Sequence, residues 1–340
     1  MTLGLFISTG LEAVVLADSM VTAHGSRHIL GGVKLASFKD EGYHGAVFTA
    51  GGANLATAVF SWLEQVKPEL KVTENAANKK PDVFRNYVNL LYTRYAGMIS
   101  ELDEQFLSTR RAEIIKKTNL LVNDEQRLKY FNDEIGKLMQ EFDQLKKEPS
   151  RFASFYFVAF DESAKRIRCM YMDKDGVSEF FESGTYIGNG FDCAQVKHQL
   201  ALVEADLSKF SYTELVFYTL LGFHAGTLNT GVGGIPKIAY VSQKGPQILT
   251  EEQTIALINL TGAYMAEVKG LGKEATIGYV EKILDSKHEP NKNESNQVES
   301  SQNTAYKEIA EILGLTSLVL TKLYIPFTSW QARENMFKSN

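Results

Sequence analysis

The sequence predicts an α+β fold carrying a long helical insertion, on three observations. Short apolar runs pair across turn residues near the start and again before residue 250, a long stretch of helical periodicity lies between them, and no strand–helix–strand repeat recurs. Residues 2–8 and 11–17 are rich in Leu, Ile, Val, Phe and Ala, with Gly10 between them, which predicts an opening hairpin. Val33–Phe38 and Gly45–Thr49 read as two further strands. Ala50-Gly51-Gly52 follows, then a helix from about Asn54 to Gln65, ended by Pro68.

Residues 82–147 change to helical spacing. Leu128, Phe131, Ile135, Leu138, Phe142 and Leu145 recur every three or four positions, which predicts long helices packed on the domain or on each other in preference to a dedicated partner-binding coiled coil. Strands return at Phe152–Phe160 and Arg166–Asp173, with Lys174-Asp175-Gly176 as a turn. Helices are expected near Asp192–Glu204 and Tyr212–Ala225. Ile235–Ser242 and Gln247–Leu249 flank a turn and predict a last hairpin, followed by a helix to about Val268. One domain is therefore expected over residues 1–284. Residues 285–304 are almost wholly polar and predict a flexible linker, and residues 305–340 a C-terminal helical tail.

Composition narrows the function classes. With 340 residues, 44% of them hydrophobic, the chain can bury a full core. A net charge of −5 lacks the basic footprint of a protein that lives on nucleic acid or anionic membrane. The N-terminus has no basic, long apolar leader, and no apolar run reaches membrane-spanning length. Cys169 and Cys193 are the only cysteines, so a reducing, cytoplasmic setting is expected. The six histidines form no HExxH pattern, and Gly231-Val232-Gly233-Gly234 lacks the Lys-Ser/Thr of a phosphate loop, so neither a metal nor an organic cofactor is expected.

The chemistry concentrates at the start of the chain. Once Met1 is removed, Thr2 carries a hydroxyl and a free α-amine, a nucleophile with its own general base. An α-amine titrates at about 7.7–8.0, so near neutral pH it can accept the hydroxyl proton directly or through a water. Asp18 follows the apolar run Ala13–Ala17, and Lys34 follows Gly31-Gly32-Val33, each at a strand end. A nearby ammonium lowers the amine and hydroxyl pKa values, and a carboxylate holds that ammonium in place.

Thr2-Leu3-Gly4, Val14-Val15-Leu16-Ala17-Asp18-Ser19, Thr22, Val33-Lys34 and Ala50-Gly51-Gly52-Ala53 together resemble the opening of proteasome β-type subunits and of their HslV-type and Anbu-type bacterial relatives. In that family an Asp stands sixteen residues and a Lys thirty-two residues after the N-terminal Thr, the offsets of Asp18 and Lys34 from Thr2. The resemblance implies a four-layer αββα sandwich of the N-terminal-nucleophile hydrolase type. It implies Thr2 as nucleophile, Lys34 as the charge that tunes it, Asp18 as its orienter, and the Gly51 N–H, with Gly52 as the alternative, as oxyanion donor.

Farther along the likeness loosens. Tyr186-Ile187-Gly188-Asn189-Gly190 resembles the family's Ile-Gly-Ser-Gly element, with Asn189 in the place of the serine that supports the amine. Asn229-Thr230-Gly231-Val232-Gly233-Gly234 resembles its Asp-x-x-Ser-Gly-Gly element, with Val232 in the serine place. Asn189 keeps an acceptor, whereas Val232 offers none. The expectation is a threonine-type endopeptidase acting on peptide or unfolded protein, assembled as a homo-oligomer, with an ATPase unfoldase as a further candidate partner. A non-catalytic ring subunit, in which Asp18 and Lys34 form a plain buried ion pair, and an amidase acting on a small amide remain the alternatives.

Overall fold

The structure, a computed structural model, describes residues 3–19, 21–23, 27–29, 34–66, 82–148, 151–180, 185–187, 207–228, 232–285, 295–326 and 328–332. Thr2, Asn189, Asn229 and the expected helix near 192–204 lie outside them. The chain divides into two compact units: Met1–Ala50, Phe155–Met170 and Glu179–Asn340 form the first, and Gly51–Ser154 and Tyr171–Ser178 the second.

The first unit opens with the hairpin β1 (Gly4–Ser8) and β2 (Ala13–Ala17), in register Leu5↔Leu16 and Ile7↔Val14. β10 (Thr185–Ile187) pairs antiparallel with β1, and β11 (Lys237–Ser242) antiparallel with β2, followed by β12 (Gly245–Ile248). The order is β10-β1-β2-β11-β12. β1 and β2 are buried along their whole length, so both faces of the hairpin are covered. Leu5, Ile7, Val14 and Leu16 pack into a core shared with helices, while the alternate residue Phe6 meets Phe48 with ring centroids 6.4 Å apart. That is the period of two expected of a strand between two layers.

The second sheet has the order β5-β6-β7-β8-β9, from β5 (Leu35–Asp40), β6 (Tyr43–Gly51), β7 (Ala153–Asp161), β8 (Arg166–Asp173) and β9 (Gly176–Phe180). It closes on the first sheet through Phe48 and through His44, whose Nε2 lies 2.7 Å from the Ser242 carbonyl oxygen. β3 (Val21–Ala23) and β4 (Arg27–Ile29) form a separate small ribbon. β6 comes so close to β7 that a Cβ at Gly45 would sit 2.1 Å from the Val158 carbonyl oxygen and 2.7 Å from the Ala159 Cα. Gly45→Ala is therefore expected to cost about 3 kcal/mol or more, since backbone and not a yielding side chain stands in the way; chemical denaturation checks this, and a loss below 1 kcal/mol would contradict the strand spacing.

On the other face of the first sheet lie α4 (Tyr212–Gly226) and α5 (Glu251–Met265), each opened by a capping box, Ser211 with Glu214 and Thr250 with Gln253. α6 (Lys273–Asp285), α7 (Ser295–Ile312) and α8 (Ser317–Lys322) pack on this layer. Within the first unit the layers thus run helix, sheet, sheet.

The end of the chain departs from expectation. The linker expected over 285–304 includes residues 295–304, which stand in α7. Polar residues extend a helix readily once it is nucleated, and here Tyr306, Ile309, Ala310 and Leu313 anchor it in the core. What reads as a tail beyond 305 is also part of the first unit's core, where Leu320 and Trp330 are buried. Asn259 fastens it: its Nδ2 donates to the Leu320 and Leu323 carbonyls at 3.0 and 2.8 Å, and its Oδ1 accepts the Ile325 N–H at 2.9 Å.

The second unit contains α1 (Ala53–Trp62), α2 (Val83–Thr118) and α3 (Asp124–Leu145). The Tyr87 hydroxyl donates to the Leu63 carbonyl at 2.8 Å, tying α2 to the end of α1. The Tyr95 hydroxyl donates to the Ala153 carbonyl and accepts the Ala153 N–H, at 2.8 and 3.1 Å. Of the apolar stripe on α3, Leu138 and Phe142 are buried against α2, where Phe106 stacks on Phe142, while Leu128 is exposed. The helix pair is packed near its base and apolar on its surface near its tip.

Candidate active site

The hairpin register places Gly4 opposite Ala17, so the residues just beyond, Leu3 and Asp18, also face each other. Asp18 N–H donates to the Leu3 carbonyl at 2.9 Å, and Leu3 N–H donates to Asp18 Oδ1 at 2.9 Å. Lys34 stands one residue before β5, where its carbonyl accepts the Thr49 N–H at 3.0 Å. Its Nζ reaches Asp18 Oδ1 at 2.7 Å. The second carboxylate oxygen, Oδ2, accepts the Gly233 N–H at 3.4 Å. Two backbone amides far apart in sequence, those of Leu3 and Gly233, and an ammonium thus converge on one carboxylate.

This cluster is dry: Asp18 is 1% and Lys34 7% exposed. Burial pushes the Asp18 carboxyl above its usual range, against the pull of the Lys34 charge and of its hydrogen bonds from Lys34, Leu3 and Gly233. Burial likewise lowers the Lys34 ammonium, against the attraction of Asp18. An ammonium whose pKa is brought down is the kind of group that can tune, or exchange protons with, a neighbouring nucleophile.

The structure brings Asp18 and Lys34 together as a buried ion pair. Val232, which stands where a hydroxyl is expected, packs into the hydrophobic core instead. The next residue, Gly233, reaches the cluster through its backbone, its N–H lying 3.4 Å from Asp18 Oδ2. No side-chain pattern could have announced that donor; every non-proline residue carries an amide. β10, which ends two residues before Asn189, pairs with β1 at Gly4↔Ile187.

Gly51 ends β6 with φ +104°, and a Cβ there would lie 2.1 Å from the Phe152 carbonyl oxygen, so the position admits only glycine on steric grounds alone. Gly52 N–H donates to that same carbonyl at 2.7 Å. It is therefore committed within the second unit.

No known family profile matches the chain, and no curated protein matches it. Among solved structures it is similar to Anbu (ancestral beta-subunit) from Yersinia bercovieri, at 13% identity and TM-score 0.47 over 79% of this chain and 98% of that one. It is similar to Anbu from Hyphomicrobium sp. strain MC1 at 14% identity and TM-score 0.43, over 80% and 98% of the two chains. The helical assembly of the Anbu complex from Pseudomonas aeruginosa gives 11% identity and TM-score 0.44 over 78% and 94%. At these identities and scores the likeness assigns neither a family nor an activity.

Other candidates for chemistry fall away on their surroundings. Cys169 is buried, and burial pushes its thiol up to about 12, so it offers no thiolate near neutral pH. Among the described residues, no three His, Cys, Asp or Glu side chains gather where a metal ion could be held, and no helix is long and apolar enough to cross a membrane. His44 is buried and stacked on Phe160 with centroids 5.7 Å apart. His224 is buried between α4 and α5, with Nε2 3.1 Å from the Ile258 carbonyl oxygen and 2.9 Å from the Thr261 hydroxyl.

Burial lowers His224 to about 4. Its folded pKa lies below the unfolded value of about 6.5, so the unfolded chain binds the extra proton as pH falls between the two. The contribution is present above pH 6.5 and lost as pH falls toward 4, by about 3 kcal/mol in all. Urea denaturation from pH 7 to 4 should show this slope, and His224→Gln should flatten it; an unchanged slope in the variant would refute the assignment.

Proposed function

We propose that the chain is a threonine-type N-terminal-nucleophile peptidase, with Thr2 as nucleophile after removal of Met1. The observation that carries the reading is the meeting on Asp18 Oδ1 of the Lys34 ammonium, at 2.7 Å, with the N–H of the peptide joining residue 3 to residue 2, at 2.9 Å. One buried carboxylate anchors both the first peptide of the mature chain and the charge that would tune it. The wider fold goes with this proposal: the helix–sheet–sheet layers of the first unit are completed by helices into a four-layer αββα sandwich.

In the proposed reaction, the Thr2 α-amine takes the hydroxyl proton as the oxygen attacks the peptide carbonyl. The Gly51 N–H receives the oxyanion, and the amine returns the proton to the departing amino group, leaving an ester. Water then attacks the ester with the same amine as base, releasing the acid and restoring Thr2. Lys34, kept charged by Asp18, lowers the amine pKa so that more of it is unprotonated near neutral pH. Asn189 is proposed to orient the amine or the attacking water through its amide oxygen. Self-assembly, cytoplasmic location and delivery of substrate by an ATPase unfoldase belong to this proposal as well.

Intact mass and a hydrolysis assay test the reading together. A protein that begins at Thr2 and cleaves a mixed peptide pool supports it. A retained Met1 removes the base at once, and cleavage of small amides with no peptide cleavage would give the amidase instead. One observation favours the non-catalytic alternative: Val232 lies in the core, so a hydroxyl expected beside the site is replaced by packing.

A further inference from the structure

The tip of the α2–α3 hairpin carries apolar surface that the hairpin itself does not cover. Val122 is 93%, Leu120 77%, Leu128 64% and Ile115 49% exposed, all within one turn or so of the α2–α3 connection. Beside the protruding Leu120 and Val122 lies an open groove of about 410 Å³, whose apolar wall is Ile115, Leu128 and Phe131. Knob and groove therefore stand on the same tip. A solvated hairpin needs neither, because packing nearer its base is already provided by Leu138 and Phe142.

We propose that this tip docks a second copy of the chain, tip to tip about a two-fold axis, each Leu120–Val122 knob seated in the other copy's Ile115–Leu128–Phe131 groove. A two-fold contact requires a surface complementary to itself, and a protrusion beside a recess of the same apolar character satisfies that. The charges agree. α2 ends in Lys116 and Lys117, and α3 begins with Glu125 beside Asp124, whose carboxylate also pairs with Arg127 of its own helix at 3.0 Å. Antiparallel pairing sets the basic end of α2 in each copy against the acidic start of α3 in the other. A patch of this size gives a weak contact, on the order of 10 μM, that gains strength when other contacts hold the copies together. The proposal does not depend on the Thr2 chemistry, and its test leaves residues 2, 18 and 34 unaltered.

Sedimentation velocity of the full chain from 1 to 100 μM, compared with Val122→Asp and Leu128→Glu, reads the association. Each variant is expected to weaken self-association about tenfold or more while keeping thermal stability. Geometry is read separately by mixing Val122→Cys and Leu128→Cys chains under mild oxidation: peptide mapping should find the disulfide between positions 122 and 128 of different chains in the mixture, and no such link in either variant alone. Self-association unchanged by both charge variants, a wild-type chain monomeric at 100 μM, or absence of the mixed disulfide each overturns the proposal, as does a tip found to bind only another protein.

Discussion

Thr2→Ala is expected to abolish peptide hydrolysis, by about three orders of magnitude or more in kcat, with the fold unchanged. Alanine keeps the α-amine and removes the attacking oxygen, so any activity that survives comes from another nucleophile. Thr2→Ser keeps both groups and should retain part of the activity, because its hydroxyl lacks only the methyl that restricts rotation about the Cα–Cβ bond. Release of product from a fluorogenic peptide set, measured for proteins whose mass shows residue 2 at the N-terminus, decides the series. Equal rates for wild type and Thr2→Ala would end the threonine mechanism. Two inactive proteins, both correctly processed and folded, would favour the non-catalytic subunit.

How much of this was legible in the sequence depends on the kind of interaction. The hairpin at the start was legible because two short apolar runs, residues 2–8 and 11–17, flank Gly10. α4 and α5 begin where helices were expected, and their capping boxes, Ser211 with Glu214 and Thr250 with Gln253, join residues only three positions apart. Asp18 and Lys34 were singled out by the family resemblance, through their offsets from Thr2, and the structure joins them at 2.7 Å. The C-terminal segment was not legible. What docks it is Asn259, more than sixty positions away, bonding backbone groups of 320–325. Periodicity carries no trace of such a bond, and the polar run before Tyr306 suggested separation. Gly233 was hidden for a related reason: it meets Asp18 through a backbone amide, and amides are everywhere in a sequence.

Geometry also changes what a Lys34 variant can tell. In a buried pair at 2.7 Å, removing either partner strands the other, so Lys34→Met is expected to cost about 3–5 kcal/mol whether or not the ammonium serves catalysis. Loss of stability therefore does not separate the two roles, and the double variant does. Asp18→Asn with Lys34→Met removes both charges while the Asn amide keeps an acceptor for the Leu3 N–H, and should recover most of the lost stability, since burial penalises both ionised groups in the wild type. The pH dependence has a definite sign. The folded pKa of Asp18 is raised, so its contribution is fully present below the usual carboxylate value near 3.8 and is lost as pH rises through the folded value. Without Lys34 that rise is larger, so the deficit of Lys34→Met should shrink as pH falls from 7 toward 4, where the carboxyl takes up its proton. Lys34 is lowered, so its contribution is present above about 10.5 and lost as pH falls through its folded value. Denaturation of the wild type, both single variants and the double variant at pH 4.5, 7 and about 10.5 measures all of this. A stable double variant that hydrolyses peptides at the wild-type rate would show the pair to be structural alone, whereas a stable and inactive one gives the ammonium its part in the chemistry.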